Sequence, residues 1–228
     1  MMRSKPMKSM PQSFNREGLS NLLFDRIGEL PLLLSQLQFE KLIDYLALLN
    51  KWNSVYNLTA VREPEAMVTQ HLLDSLAVVP AFEKARWVLD VGAGGGLPGI
   101  VLAIARPNMQ LTLIDTVQKK TAFLSQVKAE LDLANVTVLS GRVEQLDAER
   151  QFDTITSRAF ASLADMVTLS AHLLAPGGQY IAMKGVIPDD EMAALPPDWD
   201  VTEVRAVTVP GLKAERHLIF LRRQTEST

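Results

Sequence analysis

Residues 87–107 read WVLDVGAGGGLPGIVLAIARP. An apolar run from Trp87 to Val91 ends in a cluster of glycines, then Pro98, then a second apolar run. The pattern predicts a buried strand, a tight loop and a helix. Glycines let the backbone turn sharply and come close to a ligand. Pro98 suits the first turn of the helix that follows. Loops of this type bind nucleotide-like ligands, and the question is which one.

A nucleoside triphosphate loop is excluded, because no Gly-Lys-Ser/Thr follows the glycines. Dinucleotide binding fits formally: Gly94-x-Gly96-x-x-Gly99 matches its fingerprint, and Asp115 ends the next predicted strand about 20 residues on. That spacing assigns Asp115 to a ribose. It does not discriminate, since any adenosine ligand on such a loop wants a carboxylate on its ribose hydroxyls. Asp90 is more informative. It lies two residues before Gly92, at the mouth of the loop. A carboxylate there repels a pyrophosphate seated on the helix N-terminus. It suits a ligand with no phosphate and a positive ammonium, which describes the methionine half of S-adenosylmethionine. Two readings of Asp90 stand open, a loop-bracing acceptor and a direct ligand contact.

Outward from the loop, strand and helix patterns alternate. LTLID, VTVLS, FDTITS and GQYIAMKG read as strands; VQKKTAFLSQVKAEL and SLADMVTLSAHLLA read as helices. The alternation predicts an α/β fold with a Rossmann-like, mostly parallel sheet, its ligand at the C-terminal strand edge. VTEVRAVTV and RHLIFLRR, separated by PGLKAE, add an antiparallel hairpin at the sheet edge. Before the loop the chain reads as helical. Leu37, Phe39, Leu42, Ile43, Leu46, Leu49 and Trp52 form one stripe; a helix starting at Pro64 shows Met67, Val68, Leu72 and Leu76. The expected organisation is a flexible start over residues 1–13, a helical N-terminal cap over 14–85 and a ligand-binding domain over 86–228.

The chain has 228 residues, 47% of them hydrophobic, enough for one large domain with an appendage. It has no cysteine, which excludes disulfides and thiolate metal sites. No apolar run approaches the ~20 residues of a membrane span. A cytoplasmic protein, bound to no membrane and no metal, is expected. No long apolar heptad points beyond a monomer. The net charge of −3 argues against coating nucleic acid non-specifically, though a local basic face remains compatible with RNA.

Asp90-x-Gly92-x-Gly94-x-Gly96, the acid Asp115, FDTITSRAF and LLAPGGQYIAMKG together resemble a class I S-adenosylmethionine-dependent methyltransferase over residues 86–185. WNSVYNLTAVRE (Trp52–Glu63), HLLDSLAV (His71–Val78), DVGAGGGLPGI, SRAFASL (Ser157–Leu163) and ERHLIFL (Glu215–Leu221) go further. In that order they resemble the bacterial RsmG family, also called glucose-inhibited division protein B. The resemblance implies methyl transfer from S-adenosyl-L-methionine to N7 of a specific guanine in the 16S rRNA of the small ribosomal subunit. It implies cofactor contacts at Gly92, Gly94, Leu97, Val143, Glu144 and Arg158, beside Asp115.

Guanine N7 has a lone pair and no proton, so its attack needs no general base. This agrees with a sequence that presents no His/Asp catalytic pair. Catalysis is then positioning, with Arg158 and Lys184 as the candidates. Arg62, Lys119, Lys120, Phe160 and Lys184 are candidate RNA contacts, within a basic rim that adds Arg142, Arg158, Lys213 and Arg216; Arg158 reads either as holding the cofactor or as contacting RNA phosphate. Phe160 reads either as a stacking platform for a flipped guanine or as a core aromatic. His71 reads as bracing Asp74 or the cap, and His217 as structural. Three rivals are an NAD-dependent oxidoreductase built on Gly94, Gly96, Gly99 and Asp115, a binding module without chemistry, and a methyltransferase for another acceptor.

Overall fold

The computed structural model describes residues 14–158 and 162–224. The N-terminal segment holds helices α1 (Arg16–Ile27), α2 (Gln36–Tyr56) and α3 (Pro64–Met67). From α3 the chain runs into a π-helical turn (Val68–Leu73), α4 (Asp74–Leu76) and a 3-10 turn (Val79–Phe82). Then come β1 (Trp87–Val91), α5 (Gly99–Ala105), β2 (Gln110–Asp115), α6 (Gln118–Glu130), β3 (Val136–Ser140) and β4 (Phe152–Arg158). The C-terminal part holds α7 (Leu163–Ser170), β5 (Leu174–Lys184), α8 (Asp189–Ala193), β6 (Trp199–Ala206) and β7 (His217–Arg223).

The seven strands form one sheet in the order β3-β2-β1-β4-β5-β7-β6. The pairings from β3 through β5 are parallel; β7 runs antiparallel to both β5 and β6. The expected edge hairpin is therefore present, with its second strand inserted against β5. Strand order reverses between β1 and β4, the switch point where open α/β sheets form a crevice. The exposed edge strand β6 carries Glu203 and Arg205, joined side chain to side chain at 2.7 Å, which discourages pairing with a second sheet.

Alternation along the strands divides the core. Val88, Leu111 and Leu113 face α5, α6 and the N-terminal helices; Leu89, Val91, Ile114 and Ile155 face α7. The first of these cores is continuous through the N-terminal helices: Leu42, Leu46, Leu49, Met67 and Leu72 lie in it with Ile100, Val101 and Leu124. Polar contacts follow the same seam. Ser35 caps α2 by accepting the Gln38 N–H at 3.2 Å, and Gln38 accepts the Ser35 N–H at 2.8 Å. The same Gln38 amide donates to the Ile104 and Ala105 carbonyls at 2.9 and 3.0 Å, so it also satisfies the end of α5.

Two details differ from the sequence reading. Leu37 is 62% exposed and lies outside the buried stripe of α2, which instead includes Tyr45 and Leu48. Leu37 sits in the first turn of α2. α8 was not expected; Pro188 followed by Asp189 and Asp190 is the acidic first-turn signal that marks it.

Because cap and sheet share one core, they are expected to unfold together. Leu46→Ala, at a fully buried position, should lower stability by about 2–5 kcal/mol. Hydrogen exchange should then show α2 and β1 losing protection in parallel.

Candidate active site

The loop between β1 and α5 is held from three directions. From beneath, Asp90 is fully buried and its Oδ2 accepts the Gly99 N–H at 2.9 Å. From the β2 side, Asp115 Oδ2 accepts the Gly94 N–H at 2.9 Å while its Oδ1 accepts the Val117 N–H at 2.9 Å. From the cap, the buried Tyr45 hydroxyl donates to the Gly95 carbonyl at 2.6 Å. Glycine is required where the loop closes. Gly96 has φ 88°, and a Cβ there would lie 2.5 Å from Ile100 Cγ1. At Gly99 a Cβ would lie 2.2 Å from Leu113 Cδ2.

Asp90 therefore braces the loop, and its carboxylate occupies the N-terminus of α5. A pyrophosphate would need that place, so the dinucleotide reading loses its anchor. Burial pushes the Asp90 carboxyl up to about 7; the Gly99 N–H and the Arg158 guanidinium pull the other way. Its Oδ1 is buried with no partner among the described residues.

Two clefts flank the loop at the C-terminal strand edge. The first, of about 340 Å³, is lined by Val91, Gly92, Asp115, Lys120, Val143 and Glu144 among others. Lys120 Nζ sits 3.4 Å from Asp115 Oδ2, and Arg142 pairs with Glu144 at 3.0 Å. The exposed Glu144 carboxyl is held below its ordinary range by its own backbone N–H and by Arg142. The second cleft, of about 380 Å³, lies over the ends of β4 and β5 and is lined by Gln70, His71, Asp74, Arg158, Lys184 and Arg216. Its back wall is the π-helical turn, a feature often found at functional sites. Asp74 is buried and accepts from two arginines: Arg216 Nε at 2.6 Å and Arg158 Nη1 at 3.2 Å. Lys184 Nζ reaches both oxygens of Glu191 on α8, at 2.9 and 2.7 Å. His71 Nδ1 donates to the Gln70 carbonyl and Nε2 accepts from the Thr59 hydroxyl, each at 2.9 Å. Burial, then the charge of Arg158, lowers its pKa to about 4, so the ring is neutral. A larger hollow of about 830 Å³ lies at the opposite edge, between residues 83–86 and 105–109, away from the strand C-termini.

Residues 38–219 match the family described as GidB, rRNA small subunit methyltransferase G. Over 216 residues the chain is 64% identical to ribosomal RNA small subunit methyltransferase G of Janthinobacterium sp. (strain Marseille), covering 93% of this chain and 98% of that one. The protein of the same name from Herminiimonas arsenicoxydans is 63% identical, covering 93% and 99%. The chain belongs to the rRNA small subunit methyltransferase G family. Its fold is that of class I methyltransferases. The N-methyltransferase NodS from Bradyrhizobium japonicum WM9, solved in complex with S-adenosyl-L-homocysteine, superposes with a TM-score of 0.55 at 14% identity, covering 77% of this chain and all of that one.

In this methyltransferase the sequence-predicted residues separate into groups. Gly92, Asp115, Val143 and Glu144 line the first cleft, with Gly94 tied to Asp115 beside it. Leu97 is buried in the core beneath the loop. Arg158 and Lys184 line the second cleft. Lys120, read as an RNA contact, lines the first cleft and pairs with Asp115; one helical turn after β2 brings it back over the strand end. Lys119 donates to the Tyr56 carbonyl at 3.0 Å. Arg62 donates to Asn57 Oδ1 and to the Asn53 carbonyl. Phe160 lies outside the described residues. His71 braces the Thr59 loop and makes no bond to Asp74. His217 Nδ1 meets the Gly185 carbonyl at 2.7 Å.

Tyr45, Asp74 and Glu191 were missed as site residues. Signals existed for the first two. A tyrosine inside an apolar stripe needs a partner for its hydroxyl, and an aspartate inside the apolar run HLLDSLAV is rarely buried without a cation.

Asp90 makes stability depend on pH. Its folded pKa of about 7 lies above the unfolded value. Between roughly pH 4 and 7 the folded state keeps a proton that the unfolded state has lost, so this contribution falls as pH rises. His71, with its lowered folded pKa, acts in the opposite sense between about 4 and 6.5. Asp90→Asn should remove the first contribution alone. In urea unfolding across this range, wild type should lose on the order of 3 kcal/mol relative to Asp90→Asn.

Proposed function

We propose that this methyltransferase transfers the methyl group of S-adenosyl-L-methionine to N7 of one guanine in 16S rRNA of the small ribosomal subunit. It acts as a monomer in the cytoplasm. The observation that carries this reading is a cofactor-sized cleft beside a second cleft whose proton acceptors are all engaged. His71 uses both ring nitrogens, Asp74 holds two arginines and Glu191 holds Lys184. Such a site suits an acceptor atom with a lone pair and no proton to lose.

The first cleft fits the cofactor on its own chemistry. Asp115 keeps lone pairs beyond its two backbone bonds and is the ribose acceptor. Val143 packs on the adenine, and Glu144 accepts from its exocyclic amine. Gly92 and Gly94 let the backbone approach the methionine half. Once ionised, above about pH 7, the unpartnered Asp90 Oδ1 beneath the loop favours a cation above it. When bound, the cofactor supplies an activated methyl on a sulfonium. Leu97 supports the loop from below, and Arg158, which lines the second cleft, orients the acceptor there and the cofactor beside it. Catalysis by this chain is alignment, for which positioning can supply ~7–11 kcal/mol. Arg62, Lys119 and Lys120 belong to a basic rim for RNA, and Lys184, paired with Glu191, stands in the acceptor cleft.

The deciding experiment is transfer of radiolabelled methyl into small subunits from cells lacking this activity, with the nucleoside identified by mass spectrometry. Label in 7-methylguanosine of 16S rRNA is expected. Label in another nucleoside, or none in RNA, overturns the reading.

Tyr45 reaches the cofactor loop from the cap. Tyr45→Phe removes one donor and leaves the Gly95 carbonyl unpaired, a loss of about 1 kcal/mol. Isothermal titration with S-adenosylhomocysteine should show roughly fivefold weaker binding.

A further inference from the structure

The second cleft carries an excess positive charge. Arg158 and Arg216 are 24% and 25% exposed, and one buried carboxylate, Asp74, stands between them. Lys184 is neutralised by Glu191, and His71 is neutral. The cluster thus holds two cations against one anion in a partly desolvated wall. Such an excess costs free energy unless an anion completes it.

The free donors point to what that anion is. Arg158 spends Nη1 on Asp74 and Gln70; Arg216 spends Nε on Asp74 and Nη1 on the Glu215 carbonyl. Among the described residues, Arg158 Nε and Nη2 and Arg216 Nη2 make no hydrogen bond. Two guanidiniums fixed by a shared carboxylate form a fork suited to an oxyanion. These donors cannot serve the target guanine through its N7, because a guanidinium donating there would occupy the lone pair that must attack, so they are left for the backbone that carries the base into the cleft. A phosphodiester carries one negative charge and balances the cluster.

We propose that Arg158 and Arg216, held together by Asp74, form a clamp for a backbone phosphate of the RNA substrate, with Asp74 as its positioning residue. This rests on the reading that the substrate is RNA. The cofactor carboxylate is the other oxyanion near Arg158, and the test separates the two.

The test reads binding, not turnover. Wild type, Arg216→Gln and Arg216→Lys are titrated with a 16S rRNA fragment by fluorescence anisotropy at several salt concentrations, and with S-adenosylhomocysteine by calorimetry. Arg216→Gln should weaken RNA binding about tenfold and flatten the log–log salt slope by about one. Arg216→Lys, which keeps the charge, should keep the slope. Cofactor-product affinity should stay within about twofold in both. An unchanged RNA affinity and slope in Arg216→Gln overturns the clamp, and so does a loss confined to S-adenosylhomocysteine. Wild type that binds RNA with the expected slope difference but never methylates it overturns the proposed function and leaves the clamp standing. Methylation without the slope difference does the reverse.

Discussion

The carboxylate of Asp90 accepts the first N–H of α5 from under the glycine loop, and the chemistry of the site follows from that contact. It fills the anchor point that phosphate-binding loops reserve for their ligand. It forces Gly99 to lack a side chain, because any Cβ there meets Leu113 and the carboxylate itself. It also places an ionisable group with an unpartnered oxygen in a fully buried position. The loop is thereby tuned away from anions. Asp115 then holds Gly94 from the side.

The N-terminal helices are part of this construction. Tyr45 pins the loop from above, Gln38 finishes α5, and the π-helical turn brings Asp74 to the ends of β4 and β5. Arg158 stands where these parts meet. Its backbone continues β4, while its side chain ends on the cap's carboxylate. The strand switch creates a crevice that any doubly wound sheet would have. The cap turns one side of that crevice into a charged wall.

The sheet was legible because its signals are local. β1 through β5 are short apolar runs, most of them separated by helix-period segments, and PGLKAE marks the hairpin turn. The first cleft was partly legible for the same reason: Gly92 directly follows β1 and Asp115 ends β2. Family resemblance, more than periodicity, carried Val143, Glu144 and Arg158. The second cleft was only partly legible. Asp74 joins Arg216 across 142 positions of chain, a pairing that no local pattern encodes. That Lys120 reaches Asp115 was not legible, because a lysine on an exposed helix face and one folded back over a strand end have the same sequence signature. Leu37 was misplaced because an apolar residue in a first helical turn has the right period with nothing opposite it.

The shared core also bears on how the chain is made. Synthesis runs from the cap toward the sheet, so α2 emerges with Leu42, Leu46 and Leu49 uncovered. Their partners on α5 and α6 follow some tens of residues later. During that interval the nascent cap is an incomplete unit with a sticky face. It ends when α5 and α6 cover the leucines, and the Tyr45 hydroxyl then ties the cap to the loop at Gly95. The vulnerable stage of biogenesis thus lasts until the first helices of the sheet domain have been made.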